Sequence, residues 1–79
     1  MTTILIIDDD VELTDLLKEF LSNFKYKLVI YHNPVDALQF LEEKTCDMVL
    51  LDVMLPEMDG LQVLRSIREN SEVPVMMLT

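Results

Sequence analysis

The chain has 79 residues, 15 of them acidic and 6 basic, so its formal net charge is −9. That length allows at most one domain. The acidic excess argues against non-specific nucleic-acid binding and against an anionic membrane surface, since both depend on Lys and Arg. Cys46 is the only cysteine, and no apolar run approaches the roughly 18 residues that span a bilayer. With no signal-peptide pattern either, we expect a cytoplasmic protein.

Short apolar runs alternate with helical patterns along the chain. Residues 4–7 and 28–31 are predicted strands, and the first is continuous and β-branched, as in a strand buried on both faces. Between them, apolar residues at steps of three and four predict an amphipathic helix with Leu13, Leu16, Leu17, Phe20, Leu21 and Phe24 along its stripe. One of the aspartates at 8–10 is expected to cap that helix.

The second half of the chain repeats this alternation. Asn33 followed by Pro34 predicts the start of a second helix, and Gly60 opens a third. The third and fourth predicted strands are residues 48–51 and 75–78. The apolar sides of the two helices are formed by Ala37, Leu38 and Leu41, then by Leu61, Leu64 and Ile67. The order β-α-β-α-β-α-β predicts an α/β fold with a parallel sheet and right-handed crossovers.

Oxygen-bearing side chains follow three of the predicted strands. Asp8 and Asp9 follow the first strand, Asp52 follows the third, and Thr79 follows the fourth. Because ligands bind outside the carboxyl ends of the strands in open α/β sheets, we expect one site there. Two carboxylates about 4 Å apart repel by roughly 4 kcal/mol at an effective dielectric near 20. Either a cation or shared protons must therefore relieve the cluster.

In these residues the chain resembles the receiver domain of two-component response regulators. The resemblance rests on Asp8-Asp9, on the loop Asp52-x-x-x-Pro56-x-Met58-Asp59-Gly60, and on Thr79 after the fourth strand. It implies a flavodoxin-like, three-layer receiver fold with the strand order 2-1-3-4-5. The local sequence at residues 53–56 and 77–79 is most similar to that of regulators that carry a C-terminal winged-helix DNA-binding domain.

The resemblance implies a phosphoacceptor domain and not a turnover enzyme. Asp52 matches the family's nucleophile, which a sensor histidine kinase phosphorylates with Mg²⁺ as cofactor. The direct Mg²⁺ ligands map to Asp9, Asp52 and the backbone carbonyl of Met54, and Asp8 maps to a residue that acts through a bound water. Thr79 maps to the hydroxyl that binds the phosphoryl group and switches. Phosphorylation would regulate a downstream output, which we expect to be transcription.

The resemblance covers the N-terminal two thirds of a receiver. On that interpretation residues 1–79 are a truncated receiver domain without helix 4, strand 5 and helix 5, and no residue here matches the family's active-site lysine. We therefore expect impaired phosphoryl capture. We also expect self-association by edge pairing or segment exchange, because an exposed edge of strand four is open to another chain.

Two other interpretations stay open at this point. Asp8-x-Asp10 after one apolar strand, with Thr79 after another, resembles haloacid-dehalogenase-type phosphatases, in which Asp8 would be the nucleophile and Asp10 the general acid. That interpretation leaves Asp52 and the loop through Gly60 unexplained. The other alternative is an inactive, self-associating half-domain. Finding which aspartate is phosphorylated, Asp52 or Asp8, separates the receiver from the phosphatase.

His32 lies where the second strand meets the second helix. It has no Cys or His partner at metal-ligand spacing, so the sequence favours a loop or helix-start position over a catalytic role. We interpret Cys46 as a packed or half-exposed thiol.

Overall fold

A computed structural model of the chain, which describes residues 1–78, contains four strands that alternate with three helices. The strands are β1 (Thr3–Ile7), β2 (Lys27–Tyr31), β3 (Met48–Asp52) and β4 (Val75–Leu78). The helices are α1 (Val11–Ser22), α2 (Pro34–Glu43) and α3 (Gly60–Asn70). Every predicted strand and helix is present, so the predicted order is confirmed. Thr79 lies outside the described residues.

The four strands form one parallel sheet in the order β2-β1-β3-β4. This is the order that the flavodoxin-like fold gives its first four strands. β2 lies on one side of β1, and β3 and β4 follow on the other side. Right-handed crossovers consequently place α1 on one face and both α2 and α3 on the other. Within the described residues β4 is an edge strand, as predicted.

The main core lies between the sheet and the pair of helices α2 and α3. Alternate residues of the two central strands point into it, and small or branched residues of the helices close it. Its buried members are Leu5, Ile7, Ala37, Val49, Leu51, Leu55, Val63 and Ile67. Each fully buried side chain of the Val, Leu or Ile type stabilises the fold by about 1.5–3 kcal/mol relative to exposure. This layer therefore contributes a large part of the free energy of folding.

Side-chain caps start all three helices. Asp10 accepts a hydrogen bond at 3.1 Å from the backbone N–H three residues on, and Asn33 accepts the equivalent bond at 2.9 Å. Asp59 and Gln62 form a reciprocal capping box, with bonds of 3.0 and 3.2 Å. The predicted cap at Asn33 is confirmed, and the aspartate that caps α1 is Asp10. Each cap satisfies a backbone donor that would otherwise be unpaired, which stabilises by about 1 kcal/mol.

The apolar stripe predicted for α1 divides between two environments. Leu17 and Leu21 are half-buried against the sheet, but Leu16 and Phe20 are 62% and 59% exposed. Phe24, which the spacing assigned to this helix, lies beyond its last residue, Ser22. The helix covers only part of its face of the sheet, so part of the stripe has nothing to pack against in the described residues.

The predicted apolar side of α3 is confirmed at Ile67 and at the half-buried Leu64, and it is wrong at Leu61. The spacing favoured Leu61, Leu64 and Ile67 as one side, whereas the structure buries Gly60, Val63 and Ile67 and leaves Leu61 56% exposed. The cause is the close contact at the helix start. A Cβ on Gly60 would lie 2.8 Å from the Cα of Val53, so only glycine allows this approach.

Candidate functional site

Three carboxylates come together at the carboxyl ends of β1 and β3. One oxygen from each of Asp8, Asp9 and Asp52 lies within 4.8 Å of the other two. The two strands are parallel neighbours with Ile7 opposite Leu51, which makes the residues that follow them neighbours as well. Asp8 is only 2% exposed, Asp52 is half-buried and Asp9 is exposed. The structure thus brings together the three predicted carboxylates, and Thr79 lies outside the described residues.

Asp8 is fixed by hydrogen bonds at several atoms. Its backbone N–H donates to the carbonyl of Tyr31 at 3.1 Å, and its Oδ1 accepts the N–H of Asp10 at 2.9 Å. Burial raises the pKa of this carboxyl, and the charges of Asp52 and Asp9 raise it further, while the bond from Asp10 opposes them. The cluster therefore holds its negative charge at a cost that a bound cation would remove.

Asp52 ends β3 and turns the chain into the loop that precedes α3. Its Oδ1 accepts the backbone N–H of Met54 at 3.1 Å, which fixes the orientation of the carboxylate. The Met54 side chain is 82% exposed. The loop closes where the N–H of Gly60 donates to the carbonyl of Val53 at 2.9 Å. The loop motif that sequence analysis singled out is thus the segment that seats α3 beside the candidate nucleophile.

The donor atoms of the cluster are all carboxylate oxygens. Mg²⁺ is a hard cation that binds oxygen ligands and keeps several waters, so the carboxylate oxygens of Asp8, Asp9 and Asp52 are of the chemical type that it prefers. The raised pKa of Asp8 points the same way, because burial and then the charges of the neighbouring carboxylates disfavour the ionised form, which a bound cation would favour.

His32 is the site residue that sequence reasoning missed. Its Nδ1 lies 2.9 Å from the backbone carbonyl oxygen of Asp8. The signal was present in the strand pairing, since Ile7 lies opposite Tyr31 and the next residues on the two strands are Asp8 and His32. Cys46 is half-buried as predicted, and burial raises the pKa of its thiol.

Comparison with known proteins identifies the class to which this fold and carboxylate cluster belong. The family model described as "Response regulator receiver domain" matches residues 4–79, and the chain belongs to that family. The resemblance found in the sequence is thereby confirmed. Because the receiver model matches residues 4–79, we do not retain the phosphatase interpretation.

Curated relatives match all or nearly all of the chain. The "Transcriptional regulatory protein CpxR homolog" of Haemophilus influenzae is 46% identical over 79 residues, which are 100% of this chain and 34% of that protein. CpxR of Escherichia coli is 42% identical with the same coverage, and "Regulatory protein VanRc" of Enterococcus gallinarum is 38% identical over 76 residues, 96% of this chain and 33% of that protein. The chain therefore spans about a third of the length of these relatives.

Solved receiver structures superpose closely on the chain. The response regulator TrrA of Thermotoga maritima, in complex with Mg²⁺-BeF, gives a TM-score of 0.93 at 32% identity, covering 100% of this chain and 70% of TrrA. The N-terminal domain of a receiver protein from Methanoculleus marisnigri gives 0.93 at 32% identity, covering 100% and 67%. The flavodoxin-like receiver fold is thus confirmed. Among residues 1–78, no helix has the length and apolar character needed to cross a membrane.

Proposed function

We propose that the chain is the phosphoacceptor domain of a transcriptional response regulator and that Asp52 is phosphorylated in a Mg²⁺-dependent reaction. The observation that carries the proposal is the cluster of Asp8, Asp9 and Asp52, whose oxygens lie within 4.8 Å of one another. The receiver-family match and the names of two relatives, which are transcriptional regulatory proteins, support the same function.

The metal ligands that we propose are Asp9, Asp52 and the backbone carbonyl of Met54, with Asp8 acting through a bound water. When bound, Mg²⁺ supplies neutralising charge and orientation for phosphoryl transfer, as the TrrA complex with Mg²⁺-BeF illustrates for that protein. Thr79, which would bind the phosphoryl oxygens and switch, completes the proposed site.

The role of Asp52 is nucleophilic. One of its carboxylate oxygens attacks the phosphorus of the donor, the bond from phosphorus to the donor's leaving group breaks, and an acyl phosphate forms. The Met54 N–H holds Oδ1 and so limits the rotation of the carboxylate before the attack. Because the product is the modified protein itself, the domain acts as a phosphoryl acceptor and not as a turnover enzyme.

The partner that we propose is a sensor histidine kinase. TrrA, whose fold matches this chain with a TM-score of 0.93 at 32% identity, was solved in complex with the histidine kinase ThkA. Control of transcription would then belong to further residues such as a winged-helix domain, since the net charge of −9 disfavours direct nucleic-acid binding by this segment. No residue of the chain matches the family lysine, so we propose that these 79 residues capture phosphoryl groups slowly.

A second copy of the chain is a further proposed partner. β4 is an edge strand within the described residues, and an unpaired edge is a template for another strand. Light scattering across a concentration series checks this proposal. A mass above that of the monomer at high micromolar concentration would support it, and a constant monomeric mass would contradict it.

Intact-mass spectrometry tests the proposed function directly. The chain is incubated with Mg²⁺ and acetyl phosphate, and we expect a gain of one phosphoryl group. Asp52→Asn should abolish the gain, whereas the control Asp36→Asn, at an exposed carboxylate on α2, should keep it. A label that persists in Asp52→Asn, or a folded wild-type chain that never gains the group, would overturn the proposal.

A further inference from the structure

The backbone carbonyl of Asp8 is held by a side chain from a different part of the chain. His32 lies just beyond β2, 24 residues along the sequence, and its Nδ1 is 2.9 Å from that carbonyl oxygen. A carbonyl oxygen only accepts hydrogen bonds, so the ring nitrogen must donate. The contact therefore requires a proton on Nδ1, and in the neutral ring this fixes the tautomer.

Both backbone polar groups of Asp8 are thereby hydrogen-bonded to residues at the end of β2 or just beyond it. Its N–H donates to the carbonyl of Tyr31 at 3.1 Å, and its carbonyl accepts from the neighbouring His32 at 2.9 Å. Together these two bonds tie the end of β1 to the end of β2. The side chain of Asp8 is then oriented by the N–H of Asp10, which reaches Oδ1 at 2.9 Å. Each bond removes a rotation that would move the carboxylate out of the cluster.

We infer that His32 is a positioning residue of the carboxylate site, which fixes the backbone of Asp8 by donating from Nδ1 to its carbonyl. The inference rests on the proposed function for the identity of the metal, but the hydrogen bond itself does not depend on that function. His32 acts through the backbone of Asp8 and is not a metal ligand. It gives the exposed end of β2 a functional role that the sequence did not indicate.

The contact matters because it holds the loop that carries two of the three carboxylates. Asp8 and Asp9 leave β1 in a turn that runs directly into α1, and α1 begins at Val11. Without the His32 bond, the carbonyl of Asp8 must accept a hydrogen bond from water instead, and the peptide unit between Asp8 and Asp9 can rotate more freely. Removing a hydrogen-bond partner of a metal ligand typically changes metal affinity by about 10- to 100-fold, and because His32 acts one step further out, through the backbone of Asp8, we expect the lower end of that range.

Mg²⁺ titration followed by NMR measures the effect on the site without any phosphorylation. We expect His32→Ala to weaken Mg²⁺ binding by about tenfold. His32→Asn keeps an N–H donor near the position of Nδ1 and should restore most of the affinity. The control is Asn33→Ala, which removes the cap of α2 at the next residue. It should lower the melting temperature and leave the Mg²⁺ affinity unchanged, which separates positioning from stability.

The nitrogen spectrum of the His32 ring gives a second readout that needs no metal. We expect the neutral ring to carry its proton on Nδ1, and we expect the Asp10 N–H to exchange with solvent faster in His32→Ala than in Asn33→Ala. A proton on Nε2 alone, or an unchanged Mg²⁺ affinity in His32→Ala, would overturn the inference and leave the proposed function standing. A wild-type chain that does not bind Mg²⁺ would instead refute the proposed function, and the ring tautomer would still decide the role of His32.

Discussion

The two faces of the sheet differ in how far their cover extends. On the face packed by α2 and α3, here named the closed face, the row Ile7–Leu51–Met77 is fully buried at its first two positions and half-buried at β4. On the face packed by α1, here named the open face, the row Ile6–Leu50–Met76 goes from fully buried through half-buried to 52% exposed. Within the described residues, the single helix leaves the β4 end of its face exposed, whereas the two helices on the closed face leave that end half-buried.

This difference shows that the burial of a strand residue depends on which face of the sheet its side chain points to. Side chains alternate between faces, so neighbours such as Leu50 and Leu51 belong to opposite layers. Asp52, the last residue of β3, continues on the face of Leu50. The half-buried candidate nucleophile thus lies at the end of the open face, with the buried core of the closed face on the other side of the sheet.

The largest expected effect compares these two leucines. Leu51→Ala removes a fully buried side chain from the closed face and should lower the free energy of unfolding by about 3 kcal/mol. Leu50→Ala is the same change one residue earlier on the open face, and the loss should be about half as large because water already reaches that side chain. Denaturant unfolding measures the two losses in free energy of unfolding, provided that the m-values of the variants equal that of the wild type. Equal losses would mean that the open face is covered in solution.

The parts of the fold and of the site that could be predicted from the sequence are those marked by a local sequence pattern. The carboxylate cluster was predictable, because the pair Asp8-Asp9 follows one apolar run of strand length and Asp52 follows another. The sheet order was predictable from the family resemblance, and the caps at Asn33 and within residues 8–10 followed from side-chain chemistry. These signals are local, so neighbouring residues in the sequence suffice to detect them.

The errors came from contacts between distant segments. The period of three and four in α1 correctly predicted a helix, but it could not show that Leu16 and Phe20 lack a covering element in the described residues. In α3, the contact of Gly60 with Val53 set the rotation of the helix, and Val63 became the buried residue instead of Leu61. His32 was missed for the same reason, because its bond to Asp8 arises only when β1 and β2 are paired.

A smaller effect should follow when the seating of α3 on the closed face is disturbed. In Gly60→Ala the new Cβ would lie 2.8 Å from the Val53 Cα and 3.2 Å from the Asp52 carbonyl oxygen, so backbone must move. We expect a loss of about 2 kcal/mol in the free energy of unfolding, within the usual range for overpacking. Arg65→Ala, an exposed change on the same helix, should stay within about 0.5 kcal/mol. A similar result for both variants would show that α3 can shift outwards freely.

The smallest effect concerns the site at the end of the sheet and has the opposite sign. Asp8→Asn removes a buried charge but keeps an oxygen for the Asp10 N–H, so the metal-free protein should gain stability near pH 7, by about 1 kcal/mol, as single stabilising substitutions commonly do.

The pH dependence of that gain follows from the raised pKa of Asp8. The folded protein holds the proton more tightly than the unfolded chain does. The charged carboxylate therefore lowers the stability of the wild type by its full amount only above the folded pKa of Asp8. The wild type recovers that stability as the pH falls towards the ordinary value of 3.8. The advantage of Asp8→Asn should therefore shrink on acidification and also on adding Mg²⁺, which neutralises the wild-type cluster. Thermal unfolding of both proteins from pH 4 to pH 8, with and without Mg²⁺, tests this, and a difference that is constant with pH would assign the stability change to packing instead of charge.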